Sequence, residues 1–139
     1  AIRRQRQMCI RDRARMAQGR YPELRWLYHV PNEGKRTRTT GARLAAEGLK
    51  RGVPDLCLPV ARQGCHGLYI ELKAIRGGRL SPEQVEWLDA LTRQGYMAAC
   101  CKGWEEAADM IVGYLRADAP AAESGHDPTR GRQNIGASE

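Results

Sequence analysis

Three residues carry the types and spacing that chemistry needs: Asp55, Glu71 and Lys73. Glu71 and Lys73 are two apart in Leu68-Tyr69-Ile70-Glu71-Leu72-Lys73, so on a β-strand they leave the same face roughly 6–7 Å apart. Leu68, Ile70 and Leu72 then face a core. Asp55 closes the Gly52-Val53-Pro54-Asp55 turn and heads a second apolar run, Leu56-Cys57-Leu58. If the two runs pair, Asp55 meets Glu71 and Lys73 at one edge of the sheet. Two neighbouring carboxylates repel, and a hard cation such as Mg²⁺ relieves that repulsion through oxygen ligands. Such an ion polarises a phosphoryl group, while a lysine beside it orients or deprotonates the attacking water. The Leu72 carbonyl, between the two side chains, is a further candidate ligand. Each piece also has an ordinary reading. Pro-Asp is a common turn before a strand, and E-x-K is a common polar strand face.

The elements that must position this trio follow from periodicity. Arg25 to Val30 predicts a strand with Trp26, Tyr28 and Val30 on one face, ended by the turn Pro31-Asn32-Glu33-Gly34. Gly41 to Lys50 predicts a helix with Thr40 as a candidate cap. Strands are expected at 55–60 and 67–73, most simply as an antiparallel pair. Ser81-Pro82-Glu83-Gln84 opens a helix with Ser as N-cap, Pro at the first position and Gln three after the cap. Val85, Leu88 and Leu91 form its apolar stripe, and Gly95 ends it. A short strand over 96–101 precedes a last helix from about 103 to 115. There Ala107, Met110, Ile111, Tyr114 and Leu115 fall on one face. The expected fold class is α/β, a small mixed β-sheet flanked by helices.

The ordered motifs resemble the VRR-NUC domain (virus-type replication–repair nuclease) of the PD-(D/E)XK nuclease superfamily, in its stand-alone phage or prophage type. The likeness rests on His29-Val30-Pro31-Asn32-Glu33-Gly34-Lys35-Arg36, Gly48 to Leu56, Gly67 to Lys73 and Leu80 to Gln84. It implies a restriction-endonuclease-like core and Mg²⁺- or Mn²⁺-dependent DNA hydrolysis. Selectivity for branched DNA such as four-way junctions, and a homodimer, are also implied. Asp55 and Glu71 would bind the metal, Lys73 would assist the attacking water, and Gln84 matches the downstream glutamine of the family. A capping role alone also accounts for Gln84. The Lys35-Arg36-Thr37-Arg38 loop would grip DNA phosphates, or stand as a solvated loop. Asn32 would position that loop or reach the site, or serve only its own turn.

One departure is notable. The family carries a glutamate on its first helix, and residues 1–20 contain none. Arg6 to Asp12 resembles translated sequencing-adapter text, which sets this leader apart from the domain. Two alternatives therefore stand beside the endonuclease. One is a catalytically impaired DNA-binding module of the same fold, the other a restriction-type duplex endonuclease.

Composition bounds the rest. The 139 residues suit one domain with a modest core: a leader over 1–20, a nuclease domain over 21–116 and a disordered tail over 117–139. The net charge of +7 invites a nucleic-acid reading. The leader, however, holds seven arginines against one aspartate, and the domain fourteen cations against eleven acids. Charge alone is weak support for DNA; local clustering is stronger. Five cysteines without a CxxC pair argue against a disulfide framework and fit a reduced, cytoplasmic setting. His29 and His66 have no zinc-site spacing. Trp87 and Trp104 suit a core or an interface. No apolar run is long enough to cross a membrane, so no membrane partner is expected.

Overall fold

The computed structural model describes residues 19–30, 42, 43 and 45–116. Four strands form one sheet in the order β1-β2-β3-β4: Tyr28–His29, Leu56–Leu58, Leu68–Lys73 and Met97–Lys102. The first three pair antiparallel, with Tyr28 opposite Cys57 and Leu56 opposite Ile70. β3 and β4 run parallel, Glu71 beside Cys100 and Lys73 beside Lys102. A parallel pair needs a crossover, supplied by helix α1 (Pro82–Arg93). Helix α2 (Trp104–Arg116) follows β4. This is the small mixed sheet with helices that the sequence leads one to expect.

Alternation along the strands sorts the two faces. Leu56, Leu58, Leu68 and Ile70 are buried with Leu24 and with Ala107, Ile111, Tyr114 and Leu115 of α2. Half-buried Met110 packs against this core, so the predicted stripe of α2 is correct. The Tyr114 hydroxyl donates to the Val60 carbonyl and accepts from the Arg62 N–H at 3.1 Å. That pair of bonds ties α2 to the loop after β2. Arg62 also pairs with Glu23 at 3.0 Å, fastening the N-terminal segment to the same loop.

Several expected boundaries are corrected. The strand over 25–30 is mostly a 3₁₀ helix, Pro22–Trp26, followed by only two strand residues. Pro22 favours the start of a helical turn. The supposed common face is not a core face, since Trp26 is 55% and Tyr28 51% exposed. The strand predicted over 55–60 shrinks to Leu56–Leu58: Asp55 meets β3 through its side chain, Pro59 has no N–H for the ladder, and Val60 turns its N–H back on the Leu58 carbonyl. In the helix over 41–50, residues 42, 43, 45 and 46 are helical, and the segment turns at Gly48 (φ +99°) before Lys50. On α1, Leu91 is buried whereas Val85 is exposed. Thr40, residues 1–18 of the leader over 1–20, and the tail over 117–139 lie outside the described residues.

Candidate active site

The register explains the meeting of Asp55 and Glu71. Leu56 faces Ile70 across the β2–β3 pair, so one step on, Asp55 stands opposite Glu71, and cross-strand neighbours project to the same side. Asp55 Oδ2 accepts the Leu72 N–H at 2.7 Å. Its own carbonyl accepts the Val30 N–H at 2.8 Å, linking β1 to the same corner. A further step would set buried Pro54 opposite Leu72. Proline has no N–H to give, so the Leu72 carbonyl loses that partner.

Glu71 is the centre of the arrangement. It is 2% exposed, the one buried charged residue among those described. Its Oε1 accepts from Gln84 Nε2 at 2.8 Å and lies 3.5 Å from Lys73 Nζ. Its Oε2 is buried with no hydrogen-bond partner among the described residues. Burial pushes the carboxyl up to about 7 from 4.5, and the Asp55 carboxylate adds to the rise. Lys73 pulls the other way and does not win. Asp55 is within hydrogen-bonding reach of Glu71, but two ionised carboxylates have no proton to share. The pair is therefore satisfied only by a proton or a cation.

Gln84 enters from α1 and does two jobs. Ser81 caps the helix by accepting the Gln84 N–H at 3.2 Å, and Gln84 Oε1 accepts the Ser81 N–H at 2.9 Å. This reciprocal box turns the amide so that Nε2 points at Glu71. The helix is seated by the turn before Asp55: Trp87 Nε1 donates to the Arg51 carbonyl at 2.9 Å. Gly52 has φ +85°, and a Cβ there would come within 2.6 Å of the Glu83 backbone. The Gly52-Val53-Pro54-Asp55 turn and the start of α1 are thus packed together, which fixes Asp55 and Gln84 relative to each other.

The structure brings together Asp55, Glu71, Leu72, Lys73 and Gln84. Asn32, Lys35, Arg36 and Arg38 lie outside the described residues. Cys100 stands beside Glu71 in the β3–β4 register and is half-buried there. Burial raises its pKa, with the Glu71 carboxylate adding to the rise. Its place could not be read from sequence without the parallel pairing. Among the described residues, no three His, Cys, Asp or Glu side chains gather where they could hold a metal ion. Among the described residues the site's acidic donors are a pair, Asp55 and Glu71. His66 stacks edge-on against Tyr96 at 5.6 Å, a structural role.

A mixed sheet, a carboxylate pair and a lysine on one strand end define an α/β nuclease core. Comparison with known proteins agrees. The family described as VRR-NUC domain matches residues 9–105, and the chain belongs to that family. A solved structure titled "VRR_NUC domain protein" is 30% identical, covering 68% of this chain and 70% of that one, with a TM-score of 0.59. No curated protein matches significantly. Membership makes this a nuclease-type DNA-processing domain. Among the described residues, no helix is long and apolar enough to cross a membrane.

Proposed function

We propose that the protein is a metal-dependent, structure-selective DNA endonuclease that hydrolyses phosphodiester bonds at branched DNA such as four-way junctions. The observation that carries this reading is the buried Glu71 Oε2 beside Asp55, unpartnered among the described residues. A buried carboxylate oxygen without a donor is costly, and a hard divalent cation satisfies it together with its neighbour. The donor set is all oxygen, which suits Mg²⁺ or Mn²⁺. Asp55, Glu71 and the Leu72 carbonyl would hold the ion. When bound, it supplies Lewis-acid polarisation of the scissile phosphate.

The chain's own groups do the rest. Lys73, held 3.5 Å from Glu71, orients the attacking water or offsets charge as the phosphorane forms. Gln84 holds Glu71 in one rotamer. Asn32, Lys35, Arg36 and Arg38 are assigned to the phosphate backbone, where contacts position DNA without reading sequence. A homodimer and a cytoplasmic setting accompany this reading.

The test is cleavage of plasmid and four-way-junction DNA by purified protein in Mg²⁺ or Mn²⁺, compared with EDTA. Asp55→Ala and Lys73→Ala abolish cleavage while folding and DNA binding persist. Equal activity of either variant and the parent refutes the assignment. A second reading is a DNA-binding module without catalysis, favoured by the lack of a third acidic side chain among the described residues. Binding in both buffers without nicking selects it. Discrete fragments from linear duplex instead indicate a restriction-type enzyme.

A further inference from the structure

The turn between β3 and α1, residues 74–80, begins one residue after Lys73 and presents an exposed isoleucine in a turn whose charged residues are all cations. Ile75 is 69% exposed, more than Trp26, Tyr28 or Val85. An isoleucine so placed has water where it would otherwise have packing partners. Its side chain is nonetheless braced. A Cβ on Gly103 would come within 3.0 Å of Ile75 Cγ1 and 3.2 Å of Cδ1, so the absence of a side chain at Gly103 gives Ile75 a backbone surface to rest on. Gly103 in turn donates to the Lys73 carbonyl at 2.9 Å.

The turn also folds tightly onto the catalytic strand. A Cβ on Gly78 would lie 2.6 Å from the Ala74 carbonyl oxygen and 2.9 Å from Lys73 Cβ. Arg76 and Arg79, in the same turn, are both exposed. Lys102 is exposed too and pairs in register with Lys73. Residues 72–81 contain no acidic side chain, although Glu106 accepts the Lys102 N–H at 2.8 Å nearby. The result is an exposed apolar tip, packed back on Gly103, with two exposed arginines in the same turn at the end of the strand that carries Glu71 and Lys73.

A continuous duplex hides its base faces by stacking. A branch point or a strand end exposes them, and an apolar side chain can wedge against the freed face. Exposed arginines in the same turn suit the adjoining phosphates. We propose that Ile75 is a wedge that seats against the base pair exposed at a DNA discontinuity, with Arg76 and Arg79 on the adjoining phosphates. The proposal deepens the nuclease reading and rests on it: it gives the site a physical means of choosing interrupted over continuous DNA.

The experiment uses the full chain in EDTA, so that binding is measured without cleavage. Synthetic DNA carries 2-aminopurine either at the terminal pair of a branch or inside a continuous duplex. With the parent protein, branch-site fluorescence rises on saturation and the continuous duplex stays quiet. Ile75→Ala removes the rise and lowers the branched-over-continuous affinity ratio by about tenfold, while Ile75→Leu keeps both. Arg76→Ala with Arg79→Ala weakens binding to both DNAs and shallows the salt dependence. An unchanged signal and ratio in Ile75→Ala overturns the wedge, as does absence of DNA binding. Self-association lost in Ile75→Ala with unchanged DNA signals also overturns it, and assigns the tip to a second copy of the chain. The two readings fail separately. A branch signal without cleavage in Mn²⁺ removes the nuclease and keeps the wedge; cleavage with an indifferent Ile75→Ala does the reverse.

Discussion

Gln84 Nε2 donates to Glu71 Oε1 at 2.8 Å while the other end of the same amide closes the cap of α1. One side chain thereby couples a helix start to the buried carboxylate. The coupling is directional. A capping box demands an acceptor at the third helical position, and only an amide can also donate to an ionised neighbour. Glutamate satisfies the box equally well but would face Glu71 with a second negative charge.

This gives a paired prediction. Gln84→Ala loses the box and the bond to Glu71, lowering stability by about 1 kcal/mol and cleavage by about tenfold or more. Gln84→Glu keeps the box, leaves stability within about 1 kcal/mol at pH 5 and loses activity at pH 8 through repulsion from Glu71. Thermal melting at the two pH values, beside single-turnover cleavage, separates capping from catalysis. Equal losses in both variants at both pH values contradict a direct role at Glu71.

Much of the site was legible because strand periodicity and the turn before Asp55 are local signals. Glu71 and Lys73 needed only a strand, and the cap of α1 needed only four residues. What Gln84 touches depended on where α1 docks, and that is decided by Gly52 against the Glu83 backbone and by Trp87 on Arg51. No periodicity encodes such a contact. The misread segment over 25–30 shows the opposite failure. Trp26, Tyr28 and Val30 alternate as a strand would, but two of these side chains are exposed, and Pro22 turns the first half into a 3₁₀ helix. Cys100 became part of the site only through the parallel register with Glu71.

Asp55→Asn separates the fold from the chemistry. An asparagine carbonyl oxygen can still accept the Leu72 N–H now bound at 2.7 Å, so melting stays within about 1 kcal/mol of the parent. The charge that would hold a cation is gone. Cleavage in Mg²⁺ falls more than about a hundredfold, and the rise in melting temperature that Mn²⁺ gives the parent disappears. A variant that melts normally and is still stabilised by Mn²⁺ places the ion elsewhere.

The raised Glu71 carboxyl makes ion-free stability depend on pH with a defined sign. The folded protein keeps this proton up to about 7, whereas the ordinary value is 4.5. The folded state therefore binds more protons than the unfolded state between these limits. Its contribution is fully present below about 4.5 and lost as pH rises through about 7, a change of about 3 kcal/mol. Glu71→Gln removes this component, so the parent-minus-variant difference in denaturant-measured stability isolates it. Added Mg²⁺ or Mn²⁺ favours the ionised form and flattens the parent's slope. A difference that does not change between pH 4.5 and 8 rules out Glu71 as the buried titrating group.

Gly52→Ala tests whether the turn before Asp55 sets the position of α1. The residue sits at φ +85°, where an L side chain is strained, and the new Cβ would meet the Glu83 backbone carbon at 2.6 Å. The three nearest atoms are the Glu83 backbone carbon, its oxygen and Cβ, none a flexible side-chain end, so the helix start or the turn must move. Stability falls by about 2 kcal/mol or more from the strained φ and the clash together. Because Asp55 lies three residues on and Gln84 one residue past the clash, the movement also opens the Gln84–Glu71 bond. The variant at 15 °C, still folded by circular dichroism, then cleaves at least tenfold more slowly than the parent. Gly48→Ala is the control. It has φ +99° but no atom within 4 Å of its built Cβ, so it costs only the backbone strain and keeps its activity once folded. Equal rates for folded Gly52→Ala and the parent would mean that α1 finds its place without this contact.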